Sequence, residues 1–206
     1  MSDTALFTST MGTPDGLFTI LADESGVLAS GWTDRANLLD RIGKTGTALK
    51  PTVWEPIMVE AVAAVESFYA GEEDLLCQVP VHLEPEGFHR QVQEALRVTH
   101  IGDTVTYAEL AEMAGNHSAA RAAASACAKN PTTLFVPCHR AVRTDGTTGG
   151  FAYGVPIKES LLEREQRILA AGGPVRVETA YARVETTAGK PVQAKPESAT
   201  PATNGE

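Results

Sequence analysis

Long apolar runs are missing from this 206-residue chain. No stretch approaches the roughly 20 residues that cross a bilayer, so no membrane partner is expected. The first residues, Met1-Ser2-Asp3-Thr4, lack the basic flank that opens a secretory signal. Cysteine is scarce: Cys77, Cys127 and Cys138 are three, without paired spacing. That argues against a disulfide framework and for a reducing compartment, here the cytoplasm. Cys77 and Cys127 are isolated, so no metal is expected. The glycine-rich stretch after Arg140 has no suitably placed phosphate-loop lysine, so no nucleotide cofactor is read there. No other cofactor is implied.

Basic charge is also short. The net charge is −9, which on its face argues against nucleic acid. The deficit is local, however. Residues 1–87 hold 4 Lys/Arg against 14 Asp/Glu, residues 88–170 hold 9 against 8, and residues 171–206 hold 4 of each. The middle of the chain is near neutral, which permits phosphate contact without predicting strong electrostatic binding.

What is present begins with β structure over Ala5–Trp32. Two apolar runs, Leu17–Ala22 and Val27–Trp32, flank the turn Asp23-Glu24-Ser25-Gly26. A short helix is predicted over Arg35–Ile42 and a loop over Gly43–Pro51. A longer helix is predicted over Pro56–Ala70, started by Pro56 and stopped by Gly71. Its apolar stripe is Ile57, Val62, Val65, Phe68 and Tyr69. Leu75–Leu83 reads as a strand. No chemistry is evident in this half, which reads as a small α/β scaffold domain over residues 1–87.

A second, mostly helical domain is predicted over residues 88–175. Phe88–Val98 suits a helix, and Tyr107 leads into another over Ala108–Ala114. Gly115-Asn116 breaks it, and a third begins near Ser118 and runs to Lys129. Ala111 followed by Gly115 matches the tight turn of a helix-turn-helix. The third helix is unusual for a reader of base edges. It offers Ala119, Ala120, Arg121 and Ala122, one arginine among small residues. Such a helix is either only packed closely on its neighbours or suits a narrow minor groove, with one side chain to fill the gap left by a flipped base. Lys158–Ala171 is a helix ended by Gly172-Gly173-Pro174. Leu161, Leu162, Ile168 and Leu169 give its apolar face, and Glu165 falls in the middle of it. A buried carboxylate needs a partner, and His139 is the functional candidate, with a structural salt bridge as the alternative. A short strand over Val175–Val177 is expected, then a disordered tail over residues 186–206, rich in Thr, Ala, Pro and Lys.

The remaining stretch is Asn130-Pro131-Thr132-Thr133-Leu134-Phe135-Val136-Pro137-Cys138-His139-Arg140. Pro137 stiffens the entry to Cys138. A thiol reacts as thiolate, and the cationic groups of His139 and Arg140 are close enough in sequence to lower its pKa. Cys138, His139 and Glu165 form a candidate relay in which a carboxylate orients an imidazole that takes the thiol proton. That logic alone also fits a cysteine hydrolase. Alkyl transfer to the thiol is favoured by the helix-turn-helix pattern, the small second helix with one Arg, Tyr107 as a phenol near the site, and the lack of a second water-activating constellation.

Asn-Pro, five residues, then Pro-Cys-His-Arg resembles the active-site signature of the O6-alkylguanine-DNA alkyltransferases, the methylated-DNA–protein-cysteine methyltransferases. Thr104–Tyr107, Leu110-Ala111, Ala119–Ala122, Gly149-Gly150, Lys158 and Leu161–Glu165 extend the resemblance over roughly Phe88–Arg167. It implies an RNase H-like N-terminal scaffold and a C-terminal domain with a winged-helix-like unit. It implies single-turnover DNA repair, in which Cys138 accepts the alkyl group from O6 of guanine, or O4 of thymine. His139 would be the base, Glu165 its orienter, Asn130 the brace of the active-site turn and Tyr107 a contact to the flipped guanine. Arg121, with Ser118, Ala119 and Ala120, would meet double-stranded DNA in the minor groove. Val136, Pro137, Ala141, Phe151, Ala152 and Tyr153 would line the pocket. The protein would act as a monomer. Tyr153 stands where many members have Gly, which should disfavour large O6 groups such as benzyl. A lesion-binding module that leaves Cys138 unmodified is the alternative from another class.

Overall fold

A computed structural model describes residues 5–51, 54–72 and 75–173. The chain opens with an antiparallel meander of β1 (Leu6–Thr13), β2 (Gly16–Asp23) and β3 (Gly26–Gly31). Asp23 makes the second turn: its Oδ1 accepts from Ser25 N at 2.8 Å and Gly26 N at 3.2 Å. Helix α1 (Arg35–Arg41) follows, capped by Asp34, whose side chain accepts from Asn37 N. The stretch expected to be only a loop ends in a short strand, β4 (Leu49–Pro51), parallel to β1. The sheet order is β3-β2-β1-β4, so β3 is an edge.

Helix α2 (Pro56–Ala70) has the predicted bounds. Pro56 opens it, and Gly71 closes it at φ +74, a left-handed position that glycine adopts without steric cost. It buries Ile57, Val65 and Phe68, together with Met58, Ala61 and Ala64. Val62 and Tyr69 are only half-buried. Leu75–Leu83 is not a strand. It runs as turns, with one parallel bridge from Val81 to Val27. At the bridge Val27 N donates to Pro80 O, and His82 N to Val27 O.

Helices α3 (Phe88–Arg97), α4 (Tyr107–Met113) and α5 (Ala120–Lys129) come next. Thr106 and Glu109 form a reciprocal capping box that fixes the start of α4. Gly115, at φ +82, carries the turn between α4 and α5. β5 (Val105–Thr106) and β6 (Ala141–Val142) pair in parallel behind them. Helix α6 (Val155–Ala170) starts earlier than expected, with Pro156 in its first turn. Leu161 and Ile168 are buried in it, but Leu169 is 43% exposed. The strand expected at Val175–Val177 and the tail over residues 186–206 lie outside the described residues. Among the described residues no helix is long and apolar enough to cross a membrane.

Two apolar cores meet at the cysteine motif. One packs the sheet against α2 and includes Leu134, Phe135, Leu161 and Ile168. The other packs α3, α4 and α5 together and includes Val136, Cys138 and Ala141. The motif is therefore clamped from both sides. Leu134 sits at φ +80, a left-handed conformation costing a branched side chain about 1–2 kcal/mol. Full burial of Leu134 and Phe135 holds it there. Val136 N returns to Thr132 O at 2.9 Å and closes the bend.

Candidate active site

Helix α5 ends at Asn130, because Pro131 cannot continue it. Asn130 is buried, and its side chain ties the bend together. Nδ2 donates to Val136 O at 2.9 Å and to Cys138 Sγ at 3.2 Å. Oδ1 accepts from Thr132 N at 3.2 Å. After Pro137 the chain makes a single 3₁₀ turn, Cys138–Arg140. Three residues per turn send consecutive side chains in different directions. Cys138 points to Asn130, while His139 and Arg140 both reach Glu165 on α6.

Glu165 is the hub. His139 Nε2 is 2.8 Å from Glu165 Oε1. An ionised carboxylate can only accept, so Nε2 carries the proton and Nδ1 holds the lone pair. Nδ1 is buried and has no hydrogen-bond partner among the described residues. Arg140 donates from Nε to Oε1 at 3.0 Å and from Nη2 to Oε1 at 2.9 Å. Its Nη1 donates to Thr99 O at 2.6 Å. Gly102 N donates to Oε2 at 2.9 Å. Burial pushes the Glu165 carboxyl up. Arg140 and His139 more than offset that and hold it at about 2.

The expected relay is thus half direct. The imidazole–carboxylate contact is present, but no hydrogen bond joins the thiol to the imidazole among the described residues. Arg140, which its place in the motif sets near the thiol, reaches Glu165. It is fully buried and neutralises Glu165. Lys158 and Arg41 favour the Cys138 thiolate. Cys138 is 5% exposed, and burial raises its pKa above the ordinary range despite Asn130 and Lys158. Burial likewise lowers the His139 pKa, with Glu165 opposing. The resting pair at neutral pH is a thiol beside a neutral imidazole.

Two residues here were missed from the sequence. Lys158 is fully buried, and its Nζ donates to Ala141 O and Thr148 O, both at 2.5 Å. It also stands 5.9 Å from the Tyr107 ring centroid. Its signal was available: positions 158, 161, 165 and 168 share one face of α6, so a lysine opens the buried stripe. Arg41, from α1, donates to Ala128 O at 2.8 Å and Asn130 O at 3.0 Å. No sequence pattern announced it.

The other candidates spread around this centre. Tyr107 is half-buried at the start of α4. Its hydroxyl lies 3.2 Å from where a side-chain carbon on Gly149 would sit. Ala141 is buried, and its carbonyl is already taken by Lys158. Phe151 and Tyr153 are half-buried and Ala152 is exposed. Val136 is fully buried. Ala119 caps α5 and Ala120 opens it. Ser118 lies in the preceding turn, bonded to Asn116. Arg121 is exposed on the first turn of α5. At about 1.5 Å per residue it stands roughly 14 Å along the helix from Asn130, so it is not part of the thiol cluster. Among the described residues no three His, Cys, Asp or Glu side chains gather as a metal site requires.

Residues 87–167 match the family described as 6-O-methylguanine DNA methyltransferase, DNA binding domain. Over 120 residues the chain is 40% identical to the methylated-DNA–protein-cysteine methyltransferase of Methanosarcina acetivorans, a match covering 56% of this chain and 75% of that one. Over 94 residues it is 44% identical to the bifunctional transcriptional activator/DNA repair enzyme Ada of Escherichia coli, covering 46% of this chain and 27% of that protein. The chain thus spans little more than a quarter of that relative's length. In structure it is similar to Mycobacterium tuberculosis OGT in complex with DNA, with a TM-score of 0.66 and 27% identity over 79% of this chain and 94% of that one.

Proposed function

The chain belongs to the methylated-DNA–protein-cysteine methyltransferase family, and we propose that it repairs O6-alkylguanine in double-stranded DNA by a single transfer of the alkyl group to Cys138. The observation that carries this reading is the buried set Asn130, Cys138, His139, Arg140 and Glu165, in a stretch that matches the family. In the proposed reaction His139 Nδ1 takes the thiol proton through one water. Glu165 stabilises the imidazolium that results, and Arg140 keeps Glu165 ionised. The thiolate attacks the alkyl carbon in line with the C–O6 bond. A sulfur–carbon bond forms, the carbon–oxygen bond breaks, and its electrons stay on guanine. Tyr107 or a neighbouring donor protonates the departing base. The product is a thioether, for whose cleavage no group is evident in the site, so each chain acts once.

DNA recognition falls to α4 and α5, read as a helix-turn-helix with β5 and β6 beside it as a winged-helix-like unit. Ala119 and Ala120 let α5 approach a minor groove, Ser118 supports that contact, and Arg121 fills the place of the flipped base. The distance of Arg121 from the thiol suits this, because a flipped base and its former position in the stack lie far apart. Val136, Pro137, Ala141, Phe151, Ala152 and Tyr153 line the base pocket. The sheet with α1 and α2 acts as an RNase H-like scaffold over residues 1–87, joined to the domain over 88–175. The protein works as a monomer in the cytoplasm, where its three free thiols remain reduced.

The test is intact-mass analysis with peptide mapping after incubation with excess O6-methylguanine duplex. One methyl per chain, on Cys138, with no further turnover, is expected. An unmodified chain that binds the duplex would make it a lesion-binding module. Continuing product release from an unmodified chain would make it a hydrolase.

A further inference from the structure

Residues 88–170 carry 9 Lys/Arg, and most of them are already committed. Arg97, Arg140 and Lys158 are buried. Arg90 pairs with Glu94 at 2.8 Å. The Arg164 guanidinium carbon is 4.7 Å from the Tyr69 ring centroid, and Arg167 donates to Glu163 O at 3.4 Å. That leaves Arg121, Lys129 and Arg143, all exposed. Lys129 ends α5, at the opposite end from Arg121. Arg143 follows β6, and neither the alkyl transfer nor the helix-turn-helix contact uses it.

The chain sets Arg143 beside Tyr107. β5 and β6 pair in parallel with Thr106 opposite Val142, so the residues that follow, Tyr107 and Arg143, leave the ladder side by side. A side-chain carbon built on Gly149 would lie 3.2 Å from the Tyr107 hydroxyl and 3.5 Å from Arg143 Cγ. Both side chains therefore border the volume that this glycine leaves open. The turn after Arg143 is closed on itself. Arg143 N donates to Thr147 O at 2.9 Å and Gly146 N to Arg143 O at 3.0 Å. Asp145 Oδ1 accepts from Thr147 N at 3.0 Å and from Thr147 Oγ1 at 2.7 Å. The main chain of Arg143 is thus fixed, while its guanidinium makes no hydrogen bond or ion pair among the described residues. Asp145 is the nearby carboxylate; Thr147 first, and then Arg143, hold its pKa below the ordinary range. On the other side Arg143 opposes the burial that raises the Tyr107 pKa.

We propose that Arg143, from the turn after β6, grips a DNA backbone phosphate next to the nucleotide that is turned out, with Tyr107 beside it. The inference rests on the DNA-repair reading and deepens its DNA contact. A guanidinium offers a planar fork that fits a phosphate bidentately. Arg121 works from the base stack, at the start of α5; Arg143 works from the backbone, after β6. A flipped nucleotide turns about its own backbone, so a phosphate held there opposes its return. In a stretch with 9 Lys/Arg against 8 Asp/Glu, one uncommitted cation is a large share of the attraction to DNA.

The experiment titrates the full chain against a labelled duplex carrying O6-methylguanine at several salt concentrations. A Cys138→Ser background leaves the methyl on the DNA. Arg143→Ala should weaken binding about tenfold, the scale of one charge-assisted hydrogen bond. It should also make the slope of log K against log salt shallower by about 0.9, the release of one counterion. Arg143→Lys keeps the charge and loses the fork, so it should keep the slope and recover part of the affinity. With Cys138 in place, methyl transfer from the free O6-methylguanine base should be unchanged in Arg143→Ala. An unchanged slope in Arg143→Ala overturns the contact, as does a slope that falls equally far in Arg143→Lys. A loss of rate with the free base equal to the loss with duplex would put Arg143 in the pocket and also overturn it. Should Cys138→Ser not fold, the same slopes are read on undamaged duplex with Cys138 in place, by the same criterion. A wild-type chain that neither binds the duplex nor takes a methyl sinks the DNA-repair reading instead.

Discussion

Replacing Glu165 by Gln tests the hub of the site with almost no change in shape. The carboxylate accepts from His139, Arg140 and Gly102. Gln can present only one oxygen, so its NH₂ must face at least one of those donors. Arg140 then loses the carboxylate to which it donates. The structure sets the scale. Lowering the carboxyl from 4.5 to about 2 corresponds to roughly 3 kcal/mol in favour of the folded state. Breaking one side of a buried pair costs a similar 3–5 kcal/mol. Glu165→Gln should therefore unfold at lower denaturant, by roughly 3 kcal/mol. It should also slow alkyl transfer about 10²–10⁴-fold, the worth of a positioned general base, because the imidazolium loses its anion.

The pH dependence separates these two effects. The folded pKa of Glu165 lies below its unfolded value. Its stabilisation is full above about 4.5 and is lost as pH falls toward 2. His139 is also depressed below 6.5, so the unfolded chain binds its proton first and stability starts to fall below that pH. Urea titrations should show both windows in the wild type, and the lower one should vanish in Glu165→Gln. In the wild type the acid limb of the transfer rate should fall below the ordinary histidine range. If Glu165→Gln kept its stability, its transfer rate within threefold and the same pH–rate profile, the hub assignment would be wrong.

Arg121→Ala should weaken repair of duplex DNA far more than reaction with a free alkylguanine base; equal losses on both would remove the arginine from its proposed place in the stack. Asn130→Ala leaves the Val136 carbonyl buried without its donor and the thiol without its hydrogen bond. It should cost about 1–3 kcal/mol and push the thiol pKa further up, seen as slower alkylation by iodoacetamide at neutral pH. An unshifted pH dependence of that alkylation would refute the second effect. Gly102→Ala should destabilise the fold by about 1–3 kcal/mol. Gly102 has φ +86 and a side-chain carbon there would sit 2.1 Å from Leu169 Cδ1, so urea stability equal to wild type would show that the loop yields freely.

The sequence was most legible where local physics and the cysteine motif coincided. Pro56 and Gly71 bounded α2 to the residue, because both act through backbone conformation alone. Glu165 was found by its place on an apolar stripe. That Arg140 reaches Glu165 was not legible, because adjacency in sequence says little about direction within a 3₁₀ turn. Leu75–Leu83 was read as a strand from its apolar residues, but such a run cannot reveal that, among the described residues, its strand pairing is a single bridge to Val27. Arg41 and Ser30 were invisible. Both act through main-chain carbonyls roughly 90–100 residues away, at Asn130 and Thr133, and no side-chain pattern encodes a partner that every residue carries.

That reliance on carbonyls explains how the scaffold can govern chemistry to which it contributes no reacting atom. The bend from Thr132 to Cys138 is costly by itself. It holds Leu134 in a left-handed conformation and keeps a thiol, an imidazole, a guanidinium and a carboxylate away from water. Such a segment persists only when its surroundings over-determine it. Arg97 donates to Phe135 O at 3.1 Å from α3, Ser30 to Thr133 O from β3, and Arg41 to Asn130 O from α1. Asn130 closes the bend from within. Each holds main chain rather than a reactive group, so loss of one shifts the whole turn and not one side chain. Ser30 and Arg41, from the acidic N-terminal half, thereby bear on the bend that carries the sulfur without touching the sulfur itself.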